Sequence, residues 1–143
     1  MLKVVIDTNV LVSAIITQRG NAAKILKAWK NKKIKVIVSP KILEEIREVI
    51  FRPKIKRLSF WTDEQRKQLL EDLINISFLV PGSLKLRVIP EDPPDDKFII
   101  AAVEGKADYI VTGDEHLSKL GSYKGIKIVS PVEFIRILKH HTD

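Results

Sequence analysis

The stretch VVIDTNVLVSAI, residues 4–15, sets the pattern from which the fold can be worked out. It begins as a β-branched apolar run typical of a buried strand, is interrupted by Asp7, Thr8 and Asn9, and becomes apolar again at Val10. A carboxylate between two buried segments is costly unless it is paired, hydrogen-bonded or bound to a metal. Asp7 therefore has two interpretations, a helix N-cap and a functional carboxylate, and the residue pattern favours neither.

Short β-branched runs alternate with helical segments along the rest of the chain. The pattern predicts strands at 2–6, 35–38, 108–112 and 126–129, an extended segment at 78–90, and helices at 21–33, 41–51, from 62 onward, 93–106, 114–120 and 130–139. This order predicts an α/β fold over residues 1–143, a single three-layer α/β/α domain with a central, mainly parallel sheet. Such sheets bind ligands beyond the carboxyl ends of their strands, so we expect Asp7 and Asp114 to face one crevice.

Composition restricts the kinds of site that the chain can form. Cysteine is absent, which excludes disulfides, thiolate metal sites and cysteine nucleophiles, and three His residues argue against a His-rich metal site. Any metal must then be bound mainly by oxygen, which favours magnesium or manganese. The net charge of +7 suits a polyanionic partner, although solubility explains it equally well. With no membrane-length apolar run and no leader, we expect a cytoplasmic protein.

Two adjacent glutamates in the predicted helix 41–51 can be distinguished by their angle around the helix axis. At about 100° per residue, the apolar stripe from Ile42 to Ile50 directs Glu44 into water and leaves Glu45 at the margin of the stripe. From there the Glu45 side chain can reach the crevice. A surface salt bridge is the alternative interpretation of Glu45.

Three aspartates cluster in DPPDD, residues 92–96, before and within the first turn of an apolar helix. Acids are favoured near helix N-termini by the helix dipole, which is the simpler interpretation of all three. Helical spacing does not choose between Asp95 and Asp96, because the helix is apolar all round. Asp114 has the same two interpretations as Asp7, and Thr112 beside it either supports a carboxylate or ends the strand.

Carboxylates at the ends of two strands and at neighbouring helix termini raise one another's pKa unless a cation neutralises them. Mg²⁺ or Mn²⁺ would do so, and such ions activate water and orient a phosphodiester. An acidic pocket on a basic protein is typical of a metal-dependent nuclease, because the wider surface attracts the nucleic-acid backbone.

Four segments, in order, resemble proteins with a PIN domain: VVIDTNVLVSAI, VSPKILEEIREVI, PDDKFIIAAVEGKADYIVTGDEHL and GIKIVSPVEFI. Together they cover nearly the whole chain, and the pattern is most similar to the VapC-type toxin ribonucleases of toxin–antitoxin pairs. The resemblance implies a ribonuclease that depends on Mg²⁺ or Mn²⁺ and acts on an RNA substrate. It also implies a homodimer or higher homo-oligomer and a cognate antitoxin protein as partner.

The resemblance also assigns roles to individual residues. It implies that the catalytic and metal-binding acids are Asp7, Glu45, Asp95 and Asp114. The matching acid in the third segment lies three and seven residues before apolar helix positions, here Phe98 and Ala102, which selects Asp95. The supporting residues are Thr8, Asn9, Asp96 and Thr112. We expect hydrolysis by an activated water in line with the leaving 3′-oxygen, giving 5′-phosphate and 3′-hydroxyl ends.

Positive charge is concentrated in residues 27–35 and 51–61, the second segment with Phe51, Phe60 and Trp61 interleaved. One interpretation is a track for single-stranded RNA, with phosphates on the cations and bases on the rings. The predicted nucleic-acid-binding residues are Lys30, Lys32, Lys33, Arg52, Lys54, Lys56 and Arg57. A solvated helix end is the favoured alternative for the first segment, and a protein interface for the second.

Three other functions remain open on the sequence. The chain could process RNA or cut structured DNA, and its size offers no further module that would decide between them. It could bind metal or nucleic acid without turnover, although all four acids of the resemblance are present. A nucleotide-binding α/β protein is disfavoured because no glycine-rich phosphate loop follows the first strand.

Overall fold

A parallel sheet organises the chain, in a computed structural model that describes residues 1–86 and 95–141. Within these ranges the strands are β1 (Leu2–Ile6), β2 (Ile34–Val38), β3 (Phe78–Leu79), β4 (Tyr109–Val111), β5 (Ser122–Tyr123) and β6 (Ile126–Val129). The helices are α1 (Thr8–Ile16), α2 (Asn21–Lys30), α3 (Pro40–Ile50), α4 (Pro53–Leu58), α5 (Asp63–Ile76), α6 (Asp96–Gly105), α7 (Glu115–Leu120) and α8 (Pro131–His140).

The strand order across the sheet is β3-β2-β1-β4-β6-β5. All neighbours pair in parallel except β5 and β6, which form an antiparallel pair at one edge. Val4 of β1 lies beside Val36 on one side and Tyr109 on the other, so β1 is central. The predicted α/β fold with a central, mainly parallel sheet flanked by helices is confirmed.

The core lies on both faces of this sheet, which explains why the strands are almost continuously apolar. Val4, Val5 and Ile37 are fully buried. Gly105, at the end of α6, allows that helix to lie against β2, since a Cβ there would come within 2.7 Å of the Ile37 side chain. A larger residue at 105 would push α6 away from the sheet.

Several predicted elements differ in extent from the observed ones. The extended segment 78–90 forms a strand only at Phe78–Leu79, and its residues 87–90 lie outside the described ranges. Residues 93 and 94, predicted to begin the helix that corresponds to α6, also lie outside them. Helix α1 was expected only under the N-cap interpretation of Asp7. The short helix α4 and the strand β5 were not predicted, because six and two residues are too few for a periodic pattern to emerge.

The carboxyl edge of the sheet is where helices begin. Asp7, Ser39, Asp114 and Ser130 each follow a strand and cap the helix after it with a side-chain oxygen. The opposite, amino edge receives the C-terminal ends of α2 and α8. In the part of the chain that the structure describes, no helix is long and apolar enough to cross a membrane.

Candidate active site

Asp7 is both a helix cap and a buried carboxylate, so its two interpretations are not exclusive. Its Oδ1 accepts a hydrogen bond from the backbone N–H of Asn9 at 3.3 Å, which caps α1. Its Oδ2 accepts one from the Thr112 hydroxyl at 2.6 Å. The side chain of Asp7 is almost fully buried, whereas Asn9 occupies an exposed position.

Thr112 links Asp7 to Asp114. The Thr112 hydroxyl oxygen that donates to Asp7 also accepts from the Asp114 backbone N–H at 2.9 Å. Asp114 in turn caps α7, because its Oδ1 accepts from the backbone N–H groups of His116 at 2.7 Å and Leu117 at 3.3 Å. Thr112 is completely buried, so its hydrogen bond to Asp7 is shielded from water, whereas the bond from the Asp114 N–H is only partly buried.

Glu45 completes a group of three carboxylates from three different elements. Its Oε2 accepts a hydrogen bond from the Thr8 hydroxyl at the start of α1. Its Oε1 lies 2.9 Å from the Nζ of Lys97, whose side chain is 12% exposed. Helices α1, α3 and α6 are therefore joined through one glutamate at the carboxyl edge of the sheet.

The charges of this group act on one another. Burial is the main reason that the pKa of Asp7 is raised, and the negative charges of Asp114 and Glu45 raise it further. The hydrogen bonds from Thr112 and from the Asn9 backbone lower the same pKa, but they do not offset the burial. The three carboxylates thus form a locally acidic site in a basic protein.

Asp95 and Asp96 differ in their surroundings, which the sequence could not show. Asp96 is buried in the first turn of α6 and lines a cleft together with Glu45. Asp95 is the N-cap residue of α6, but its side chain makes no capping bond, and it is not among the described residues that line the cleft. Asp92 lies outside the described ranges.

This acidic cleft has a volume of about 720 Å³, within the usual range for ligand sites. Its walls are α3, α6 and the segment 82–86, and its lining residues are Ser39, Lys41, Glu44, Glu45, Glu48, Gly82, Leu84, Lys85, Leu86, Asp96, Lys97 and Ile100. The three lysines of this lining were not predicted from the sequence. They come from three separate segments, and the only sequence signal was the position of Lys97 directly after the acid pair.

The donor set fits a divalent cation in chemistry and in charge. Asp7, Glu45 and Asp114 offer hard oxygen donors, and the pKa of Asp7 is raised mainly by burial and further by the charges of the other two acids. Lys97 partly fills this need, since its ammonium group lies against Glu45. Within residues 1–86 and 95–141, the side chains as placed do not form a group of three or more metal-ligating residues.

The first basic segment lies at the other edge of the sheet. Lys32 and Lys33 immediately precede β2, so they are at its amino end, whereas Glu45 follows its carboxyl end. They line a groove of about 640 Å³ that we call the amino-edge groove, whose lining residues are Met1, Lys24, Lys27, Ala28, Asn31, Lys32, Lys33, Ile135, Leu138, Lys139 and His141. Lys30 lies outside it, 5.7 Å above the ring of Trp61 and 4.0 Å from Asp72.

The second basic segment is partly neutralised by the chain itself. Arg52 pairs with Glu48 at 2.7 Å, and Lys56 pairs with Asp63 at 3.1 Å. Lys54 and Arg57 are exposed on α4. Of the three interleaved aromatic residues only Phe60 is largely exposed, at 80%, because Phe51 and Trp61 pack against the core.

Comparisons with known proteins agree with this fold. A family model described as PIN domain matches residues 3–116. The uncharacterized protein MJ1680 of Methanocaldococcus jannaschii is 36% identical, in an alignment that covers 94% of this chain and 90% of that protein. The crystal structure of VapBC2 from Rickettsia felis bound to a DNA fragment from their promoter is similar in fold, with a TM-score of 0.57. That likeness covers 90% of this chain and 98% of the other at 16% identity.

Proposed function

Because the chain belongs to the PIN domain family, we propose that it is a divalent-metal-dependent nuclease that hydrolyses RNA. Asp7, Glu45 and Asp114 are its catalytic carboxylates in this proposal. The observation that carries it is Asp7, which shares Thr112 with Asp114 and whose pKa is raised first by burial and then by both other acids. A carboxylate kept in such surroundings stabilises the protein poorly and is typical of a functional site.

The fourth acid in the proposal comes from the pair at the start of α6. Resemblance in spacing selects Asp95, whereas burial and the shared cleft with Glu45 support Asp96. We therefore propose Asp96, rather than the N-cap residue Asp95, as the acid that faces the substrate. Thr8, Asn9 and Thr112 act as supporting residues, since each donates a hydrogen bond to one of the carboxylates.

The residues of the site would position substrate and charge. Asp7, Glu45, Asp96 and Asp114 would hold Mg²⁺ or Mn²⁺, which would supply positive charge to the scissile phosphate and to the attacking water. Thr112 holds Asp7 in place and fixes the backbone at Asp114, so the two acids keep a constant separation. Lys97 neutralises Glu45 and limits the repulsion between the RNA backbone and the acids.

The predicted cations divide into two sets in this proposal. Lys32 and Lys33 are in the amino-edge groove with three further lysines, and they would attract an RNA strand without contacting the scissile phosphate. Lys30, Arg52 and Lys56 are engaged with acids of the same chain and contribute less. Lys54 and Arg57 are exposed on α4 beside Phe60.

The protein would act in the cytoplasm as the toxin of a toxin–antitoxin pair. One solved structure of similar fold is VapBC2, which supports a cognate antitoxin as partner. An apolar groove of about 930 Å³ between α3 and α5, lined partly by Leu43, Phe51, Leu70 and Ile74, supports a protein contact on that face. A homodimer or higher homo-oligomer would use the exposed apolar residues of the 51–61 segment.

The test is cleavage of a mixed-sequence single-stranded RNA by the purified protein. It is run with Mg²⁺, with Mn²⁺ and with EDTA, beside Asp7→Asn and the control Asp72→Asn, a half-buried aspartate of α5 outside the site. We expect cutting with a divalent ion, none in EDTA, none by Asp7→Asn, and full activity of Asp72→Asn. Binding of RNA by the wild type without cutting under any condition would instead support a non-catalytic nucleic-acid-binding domain.

The same assay decides between RNA and DNA. A nuclease that processes RNA or cuts structured DNA is the alternative within this family, and a flap or hairpin DNA of matched length is the direct comparison. We expect RNA to be cut at least about tenfold faster than the DNA, because the family resemblance is to ribonucleases. A preference for DNA would replace the proposed substrate while keeping the site.

A further inference from the structure

The third wall of the acidic cleft is held by a single carboxylate. Glu104, in the last turn of α6, accepts backbone hydrogen bonds from Gly82 through Oε1 at 2.6 Å, and from Ser83 and Leu84 through Oε2 at 2.9 and 3.2 Å. Three successive N–H groups on one carboxylate form a strong, charge-assisted clamp. The segment 82–86 lies beyond β3, so sheet pairing does not hold it in place.

Gly82 fixes the other side of the same segment. It has a φ of +69°, and a Cβ at this position would lie 3.1 Å from the Cβ of Ser39. Ser39 is the N-cap residue of α3, the helix that carries Glu45. The segment is therefore clamped to α6 by Glu104 and packed on α3 at Gly82, the two helices whose acids line the cleft.

Clamping this segment places a cation in the cleft. Lys85 lies one residue beyond the last N–H bound by Glu104, and it lines the cleft together with Lys41 of α3. In the ranges that the structure describes, neither lysine forms an ion pair, whereas Lys97 is engaged with Glu45. An exposed lysine beside an acidic site suits a phosphate that flanks the reacting one.

We propose that Glu104 is a positioning residue that holds segment 82–86 as a substrate wall, so that Lys85 contacts an RNA phosphate flanking the scissile one. This inference rests on the proposed function. Lys85 supplies affinity for the RNA backbone, and Glu104 acts through Lys85 without touching the substrate. The clamped segment determines on which side of the catalytic acids the RNA strand lies.

The test is a double-variant cycle on RNA binding, measured by fluorescence anisotropy in EDTA across a salt series, so that cutting does not interfere. The variants are Lys85→Gln, Glu104→Gln and the double variant, beside the controls Lys124→Gln and Glu71→Gln. Gln at 104 keeps one acceptor oxygen but presents an amide NH₂ toward backbone N–H groups. Amide hydrogen exchange at residues 82–84 reports the clamp directly, with circular dichroism as a check of folding.

We expect Lys85→Gln to weaken binding up to about fivefold, the range of an exposed ion pair. It should also lower the slope of log affinity against log salt by about 0.7, the value for one phosphate contact of a single strand. Glu104→Gln should speed exchange at residues 82–84 and weaken binding by a similar factor. The double variant should then bind no more weakly than Lys85→Gln, because Glu104 acts through Lys85.

If the two substitutions weaken RNA binding by independent factors that multiply in the double variant, Glu104 does not act as a positioning residue for Lys85. An unchanged salt slope in Lys85→Gln, in a wild type that binds and cuts RNA, would overturn the phosphate contact alone. A wild type that neither binds nor cuts RNA would overturn this inference together with the proposed function. A steady-state assay adds a further criterion: Lys85→Gln should raise KM and leave kcat within about twofold, since the lost contact is present equally in bound substrate and transition state.

Discussion

The two edges of one sheet carry opposite charge. At the carboxyl edge the acidic cleft contains Glu45 and Asp96, with Asp7 and Asp114 at neighbouring strand ends. At the amino edge the groove is lined by five lysines and by no acidic residue among those described. The same strands connect the two edges, so the difference arises from the residues at the two ends of each strand.

Helix dipoles account for part of this separation. Parallel strands place helix N-termini at the carboxyl edge, where their partial positive charge stabilises carboxylates, and helix C-termini at the amino edge, where their partial negative charge favours lysines. The amino-edge groove receives the ends of α2 and α8, which together carry roughly one negative charge. Five lysines exceed what two helix ends require, and the surplus is available to a polyanion.

The largest effect on the cleavage rate is expected at the acids of the carboxyl edge. Asp96→Asn should lower the cleavage rate at least about a hundredfold, because its buried side chain faces the cleft, as expected for loss of one electrostatic group at a reacting centre. Asp95→Asn should cost less than about tenfold. Single-turnover cleavage of one RNA by the two variants measures the ratio directly, and the reverse order would return the fourth role to Asp95.

The next largest effect is expected on the stability of the protein, at the Thr112 hydroxyl that links Asp7 to Asp114. Thr112→Val keeps the shape of a fully buried side chain but leaves Asp7 Oδ2 and the Asp114 N–H without their shared partner. We expect the free energy of unfolding to fall by about 1–3 kcal/mol, the cost of unsatisfied buried polar groups. Urea denaturation at pH 7 measures it, with Thr17→Val at the exposed end of α1 as control. A loss equal to that of the control would mean that water replaces the hydroxyl.

A pH series tests whether burying the ionised Asp7 side chain destabilises the folded protein. Burial raises the pKa of Asp7 above 3.8, so the folded state favours the protonated side chain. The stability that this protonation contributes is fully present below 3.8 and is lost as pH rises through the raised pKa. Metal-free Asp7→Asn, which stays neutral, should therefore melt a few degrees above the wild type at pH 7 and level with it at about pH 3.5. Differential scanning calorimetry in EDTA gives both values, and an Asn variant less stable at pH 7 would show that hydrogen bonds outweigh burial.

Added Mn²⁺ sharpens the same experiment. The wild type should gain thermal stability with Mn²⁺ because a cation offsets the repulsion among its acids, whereas Asp7→Asn should gain little. Equal stabilisation of both proteins would place the bound ion elsewhere.

The smallest effect is expected at the amino-edge groove. Replacing Lys27, Lys33 and Lys139 by Gln should weaken RNA binding about threefold at low salt and leave kcat unchanged, because these residues attract the strand from a distance. Replacing Lys67, Lys124 and Lys127 removes the same charge elsewhere and serves as control. If both triple variants lose affinity equally, net charge alone explains the effect and the groove has no role of its own.

The sequence predicted the sheet and its flanking helices because the apolar runs and capping residues are local signals. The end of the first strand at Asp7 follows from residues 4–15 alone, whereas the same residues left a helix cap and a functional carboxylate as open interpretations of Asp7. The margin position of Glu45 likewise followed from helical spacing on α3, and in the structure Thr8 reaches it there. Such features depend on neighbours within about one helical turn.

Contacts between side chains that are far apart in the chain depend on tertiary packing. The pairing of Lys97 with Glu45, the clamp of Glu104 on segment 82–86 and the burial that distinguishes Asp96 from Asp95 join residues far apart in the chain, or depend on how α6 packs. A side chain's burial is set by the helices and strands around it, which no local pattern contains. The sequence by itself determined where the acids lie along the strands, and packing determined which of them share a cleft and which cations enter it.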